Sequence, residues 1–327
     1  MQTLMKNTQA YKLLQAEKLS NKLAHAYLLL CDDTKNLRET AKLFAKPFFG
    51  CDGENLSQKQ QRIAELIDEE HFSDCLFYPE SGKKFVVEDA DKLAEECALK
   101  PVEGNEKLFV ITDFSDATPQ AQNKLLKLLE EPPQGVYFLL GASSSFSVLQ
   151  TVLSRVKKLE IQPFSAEELV PALNRIYSHT RTKEEIALCA ACAGGSLGGA
   201  QNMLEGGAYK SLSEDAFSLA LADGYNLPNL IKQAGETKRK KELLSLLRIL
   251  FRDALLIKTE AEKGEKTKQR IFLKTERLNL MKIADKYSLR ALVFAQEAIS
   301  QAEQEVFFNA YFPQCLEILV SKIQNVK

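Results

Sequence analysis

The chain has 327 residues, enough for about two domains at roughly 150 residues each, or for three small ones. Hydrophobic residues make up 45% and charged residues 27%, which excludes disorder throughout. Forty-three Lys and Arg against forty-four Asp and Glu leave a net charge of −1, so a uniformly polycationic nucleic-acid binder is excluded and any basic surface is local.

The opening MQTLMKNTQAYKLLQAEK holds no long apolar run, and nothing later approaches the ~20 apolar residues that span a bilayer. No membrane partner is expected. From Ala26 to about Pro163, short apolar runs alternate with amphipathic stretches: AYLLLC (26–31), CLFYP (75–79), KLFVIT (107–112), VYFLLGA (136–142) and KLEI (158–161). Continuous apolar runs read as strands buried on both faces. Helical segments between them make a five-stranded parallel sheet with right-handed crossovers, an α/β domain over residues 1–163. The acidic segment VEDADKLAEECA (87–98) reads as a solvated helix with Val87 and Leu93 toward the core. The next helix has Thr118 as N-cap and Pro119 at its first position, and Pro132-Pro133 stops it. Ala121, Leu125, Leu128 and Leu129 then form one apolar stripe, leaving Lys124 and Lys127 outward.

After Pro163 the character changes. Ser165 with Glu168, and Thr182 with Glu185, make capping-box patterns. Gly194-Gly195 ends the second helix, and a third runs from Ser196 through Leu197, Ala200 and Leu204 to Gly206-Gly207. These predict a three-helix unit over 164–208. Beyond it, ELLSLLRILFRDALLI (242–257) and CLEILVSKI (315–323) carry helical spacings, so 209–327 is predicted to be an all-α bundle.

A strand, a turn and a helix near the N-terminus is where a nucleotide-binding protein places its phosphate loop. Here the turn reads CDDTKNLRETAK (31–42), without the glycines, the phosphate-binding Lys or the Mg²⁺-binding Ser or Thr at their stations.

That arrangement, with NKLLKLLEEPPQ (123–134) and TVLSRV (151–156), resembles the bacterial clamp-loader branch of the AAA+ family over most of Lys22 to Leu204, most sharply over Leu108 to Ile161. The resemblance implies an AAA+ RecA-like sheet domain, a lid and a helical collar. Laid on the family's ATP-binding version, Cys31, Thr34 and Asn36 take glycine positions, while Leu37 and Arg38 take the Lys and Ser/Thr positions. Asp32 and Asp33 set carboxylates where polyphosphate would lie, a repulsive placement. VITDF (110–114) leaves Asp113 alone where an ATPase has an acidic pair, and GSLGGA (195–200) puts Gly198 where the family's lid has a nucleotide-reaching Arg. No cofactor is therefore expected. Ser154 and Arg155 match the family's serine-arginine-cysteine motif, with Val156 in place of the Cys. The resemblance implies that Arg155 reaches into the ATP site of a neighbouring subunit, positioned by Ser154, and stabilises charge building on the γ-phosphate.

The implied function is a non-hydrolysing stator subunit in DNA replication. Its partners would be ATPase subunits of the tau/gamma type and a delta-type subunit in a hetero-oligomeric ring. The sliding clamp and primer-template DNA would be reached through the complex. A divergent ATPase subunit of the same machine and a DNA-binding helical adaptor stand as alternatives.

Cys51 lies near the first position of the family's zinc knuckle, but QKQQRIAEL (58–66) adds no ligand and Cys75 is too distant, so no metal is expected. Cys189 falls with Ile186, Ala190 and Ala193 on an apolar stripe at helical spacing, so Cys189-x-x-Cys192 reads as small core residues and not as redox or metal chemistry. His25, His71 and His179 have no ligand spacing. The seven cysteines, odd in number and scattered through Cys97 and Cys315, suit a reducing, cytoplasmic setting. From Lys238 to Arg290 sixteen Lys and Arg face seven Asp and Glu, with EAEKGEKTKQR (260–270) reading as an exposed loop. Either a solvated face or a contact with DNA phosphates accounts for that surplus.

Overall fold

Apolar runs too short for helices and rich in Leu, Phe and Val become the strands of one parallel sheet. A computed structural model describes residues 1–53, 55–205, 208–222, 224–263, 271–273 and 276–326. Two compact units make up the chain, Met1–Pro163 and Phe164–Lys327.

The first unit starts with two helices, α1 (Gln2–Lys6) and α2 (Gln9–Leu19), the second capped by the Thr8 side chain. Strand β1 (Ala26–Leu30) leads through a short 3-10 turn into α3 (Leu37–Ala45), and α4 (Gln58–Asp68) leads into β2 (Cys75–Tyr78). Next come α5 (Val87–Cys97), β3 (Lys107–Ile111), α6 (Pro119–Glu130), β4 (Val136–Ala142), the short α7 (Gln150–Leu153) and β5 (Lys157–Glu160). The sheet order is β2-β3-β4-β1-β5, with every pairing parallel.

Burial on both faces holds for β3, for β4 apart from the half-buried Tyr137, and for β1 apart from Leu30 at its end. It fails for the edges. In β5 only Leu159 is buried while Lys157, Lys158 and Glu160 face solvent, and β2 buries only Cys75 fully. An edge strand has one neighbour, and charges along it discourage pairing with another chain. The α6 stripe packs as read through Ala121, Leu125 and Leu129, whereas Leu128 is only partly buried and Gln122 takes the remaining core position.

Gly135, in the turn before β4, has φ +79°, and a Cβ there would meet the Asn105 carbonyl oxygen at 2.4 Å. Its own carbonyl accepts from Lys107 N at 2.8 Å. Only glycine fits both the backbone angle and the approach.

Helices and the turns that join them make up the described residues of the second unit. It begins with α8 (Ala166–Tyr177), α9 (Lys183–Cys192) and α10 (Leu197–Leu204), the first two with complete capping boxes. Both Gly194 and Gly195 adopt positive φ after α9. Gly206 and Gly207 lie outside the described residues. Then follow α11 (Ala208–Leu221), α12 (Leu227–Gly235), α13 (Lys240–Lys263), α14 (Arg277–Lys286), α15 (Leu289–Phe307) and α16 (Phe312–Gln324). An alanine face on α15 (Ala291, Ala295, Ala298, Ala302) is buried, and α15 packs along α13, whose Leu243, Leu247, Leu250 and Ala254 are buried.

The run 260–270 is not a loop from its start, because α13 continues to Lys263; residues 264–270 lie outside the described residues. Several cations of the basic stretch serve internal contacts. Lys258 donates to the carbonyls of Ala284 and Tyr287, Lys286 to those of Ala220 and Ala222, and Arg248 to Glu303 and Ser300. Among the described residues no helix is long and apolar enough to cross a membrane.

Candidate functional site

Two corners of the first unit gather the residues singled out from the sequence, one at each end of the sheet. The turn after β1 lies at the carboxyl end. Cys31 continues the ladder by donating its N–H to the Ala142 carbonyl at 3.0 Å, and burial pushes its thiol up to about 11. Asp33 does not project into an open cradle. Its carboxylate accepts from Asn36 N at 3.2 Å and from Asn36 Nδ2 at 2.8 Å, with both residues buried. A backbone N–H that faces phosphate in a working loop here faces the chain's own anion. Asp32, Thr34 and Lys35 are exposed.

Leu37 is 1% exposed, and a Cβ on Gly141 of β4 would touch its Cδ1 and Cγ at 3.5 Å. An aliphatic side chain thus packs onto the sheet at the position expected from the sequence to replace a phosphate-binding lysine. Arg38 is tied on three sides. Its Nε and Nη2 donate to Glu70 Oε1 and Oε2 at 2.7 and 2.5 Å, a fork-to-fork pair. Its Nη1 donates to the Pro79 carbonyl at 2.9 Å and to Thr112 Oγ1 at 3.1 Å. The hydrogen bonds from Arg38 hold the Glu70 carboxyl below the ordinary carboxylate range, against the opposing effect of burial. Glu70 itself sits at φ +61°, where glycine would be unstrained, and its carboxylate accounts for a glutamate there. Asp113, also left-handed at φ +54°, follows β3, and partial burial raises its pKa, with Asp116 adding to the effect.

The second corner lies at the amino end. Lys157 of β5 pairs with Tyr27 near the start of β1, so Arg155, two residues earlier, stands at the opposite end of the sheet from residues 31–38. Five residues of β1 separate the two ends, about 16 Å at ~3.3 Å per residue. No single side chain bridges that span.

Val152 of α7 is fully buried and anchors the corner. Ser154 caps α7 and donates its hydroxyl to the Thr151 carbonyl at 3.0 Å. Arg155 Nη1 donates to the same carbonyl at 2.7 Å and to Ser154 Oγ at 3.1 Å. Its Nε and Nη2 both point at Oε1 of Glu130, the last residue of α6, the Nε contact measuring 2.7 Å. Upstream, the buried Gln122 donates to the Ser147 carbonyl at 3.0 Å and accepts from Leu149 N at 2.8 Å. Glu70, Glu130 and Gln122 were not singled out by sequence reasoning. Glu130 lies inside the LLKLLEEPP signature, but the other two carry no motif.

Gly198 belongs to the second unit, buried in α10. Cys189 and Cys192 are buried free thiols, and burial pushes Cys189 up to about 12. His71 and His179 are exposed, while His25 Nε2 is buried without a hydrogen-bond partner. Among the described residues no group of three or more His, Cys, Asp or Glu could hold a metal ion.

Residues 6–165 match the family described as DNA polymerase III, delta subunit. The DNA polymerase III subunit delta' of Bacillus subtilis (strain 168) is 28% identical over 158 residues, 48% of this chain and 48% of its own length. The delta' subunit of Escherichia coli (strain K12) is 29% identical over 178 residues, 52% of each chain. The DNA polymerase III subunit gamma of Buchnera aphidicola subsp. Schizaphis graminum is 24% identical over 338 residues, 94% of this chain and 90% of its own. The chain thus spans about half the length of the delta' relatives it matches.

Proposed function

We propose that this chain, residues 6–165 of which match the DNA polymerase III delta-subunit family, is a clamp-loader subunit: a delta-prime-type stator that does not hydrolyse ATP and lends Arg155 to the ATP site of an adjacent subunit. The observation that carries this reading is the separation of the two corners. Arg155 stands at the amino end of the sheet while the chain's own phosphate-loop turn lies at the carboxyl end, and that turn is filled by Leu37, the Asp33 carboxylate and the Arg38–Glu70 pair. An arginine so placed serves a neighbour's phosphate better than its own chain's. Its planar fork remains charged and binds oxyanions through two donors.

In this reading the tau/gamma-type subunits supply ATP and Mg²⁺, a delta-type subunit completes the ring, and the clamp and primer-template DNA are engaged by the assembly. Residues 164–208 act as the lid and 209–327 join a collar. The free thiols suit the cytoplasm.

Replacing Arg155 with Ala tests the proposal. The reconstituted complex should assemble, while its clamp- and DNA-stimulated ATPase falls by the roughly 10³-fold or more associated with lost arginine fingers. Unchanged turnover removes the finger. The gamma relative, matching 94% of the chain, favours the competing view of a divergent ATPase subunit. Calorimetric titration of the isolated chain with ATP and Mg²⁺ separates the two: the stator gives no binding isotherm at micromolar nucleotide, the ATPase a saturable one.

A further inference from the structure

We propose that Glu130 is the positioning residue of Arg155, a counter-ion that holds the guanidinium at the sheet edge and is exchanged for a phosphate oxygen when a neighbouring subunit docks. The inference rests on the reading of Arg155 as a group that acts in trans.

Glu130 is the last residue of α6, where the helix dipole disfavours a carboxylate. Its stability there depends on a cation, and Arg155 supplies one. The geometry is directional. Arg155 presents its Nε and Nη2 to the single oxygen Oε1, the edge of the fork that clasps phosphate through two parallel bonds. Glu130 thus occupies the place a transferred phosphate would take. The other nitrogen, Nη1, is held by the Thr151 carbonyl and Ser154 Oγ, both on the chain segment that carries Arg155. Exchange at one edge leaves the other grip in place, so the guanidinium is pivoted and not released. The pair is also open enough for exchange, with the Arg155 and Glu130 side chains 32% and 48% exposed.

Glutamate thereby plays two separable parts: an acceptor that orients, and a charge that competes with incoming phosphate. A glutamine keeps an acceptor oxygen at the same reach without the full charge, and alanine keeps neither. In the reconstituted complex, Glu130→Gln should raise ATP turnover measured without clamp and DNA severalfold while leaving the stimulated maximum in place. Glu130→Ala should lower the stimulated kcat severalfold with the KM for ATP unchanged. Arg155→Ala is run alongside, with thermal unfolding of each isolated variant. Both Glu130 variants behaving as wild type while Arg155→Ala abolishes stimulation overturns the role of Glu130 and leaves the finger standing. A parallel fall in both, accompanied by a lower melting temperature, marks Glu130 as structural and overturns the proposal too. An Arg155→Ala complex with full turnover ends the reading of Arg155, and the inference with it.

Discussion

Arg38 and Arg155 place the same cation at opposite ends of one sheet, and the contrast lies in what surrounds each. Arg38, with its side chain 18% exposed, spends its fork on both oxygens of Glu70 and on two further acceptors from the segments just after β2 and β3. Arg155, 32% exposed, meets a single oxygen of one surface carboxylate, and its remaining bonds go to its own short segment. An arginine enclosed by acceptors joins elements together. One balanced against a solvated glutamate stays available to a stronger anion.

The widest separation is expected in stimulated ATPase. Arg155→Ala removes it by some three orders of magnitude, about 4 kcal/mol of barrier, whereas Arg38→Ala should leave it intact once assembled. A comparable loss from Arg38→Ala would erase the distinction. In thermal unfolding the order reverses. Arg38→Ala leaves Glu70 without its main partner and should cost about 1–3 kcal/mol, while Arg155→Ala, losing a surface pair, should cost about 1 kcal/mol or less.

Acid titration sharpens the same difference. Glu70 is held below the ordinary carboxylate range by Arg38, so its contribution is present above the unfolded pKa of about 4.3 and fades as pH falls toward its folded value. The stability gap between wild type and Arg38→Ala, read from urea midpoints, should therefore narrow between neutral pH and about pH 3. A gap independent of pH would mean that packing, not the ion pair, holds Arg38. Smallest of all is Lys124→Ala on the outer face of α6. Its pair with Asp91 is exposed and should change stability by less than about 0.5 kcal/mol, with ATPase unaffected.

Sequence reasoning reached the sheet because Leu, Phe and Val runs at β1, β3 and β4 have no alternative to burial, and it reached α6 because Thr118, Pro119 and Pro132-Pro133 punctuate it locally. It missed α1 and α2, whose few buried positions, such as Tyr11 and Leu14, are spread among polar residues in an opening that lacks a strong period. The edge strands were legible as strands but not as edges, since strand order arises from contacts distant in sequence. Of the two corners, the turn at residues 31–38 and the Ser154-Arg155 pair could be singled out from motifs. Their partners could not, because Glu70 is 32 residues from Arg38 and Glu130 is 25 from Arg155.

Gln122 and Glu130 fasten α6 to one outgoing segment at two places, the first through Ser147 and Leu149 and the second through Arg155. Eight residue steps of helix separate the fastenings, about 12 Å at ~1.5 Å per step. Before docking the helix therefore works as a splint that keeps the strap straight through both fastenings, and once the guanidinium turns to phosphate the Gln122 fastening alone still ties the strap to that rigid rod.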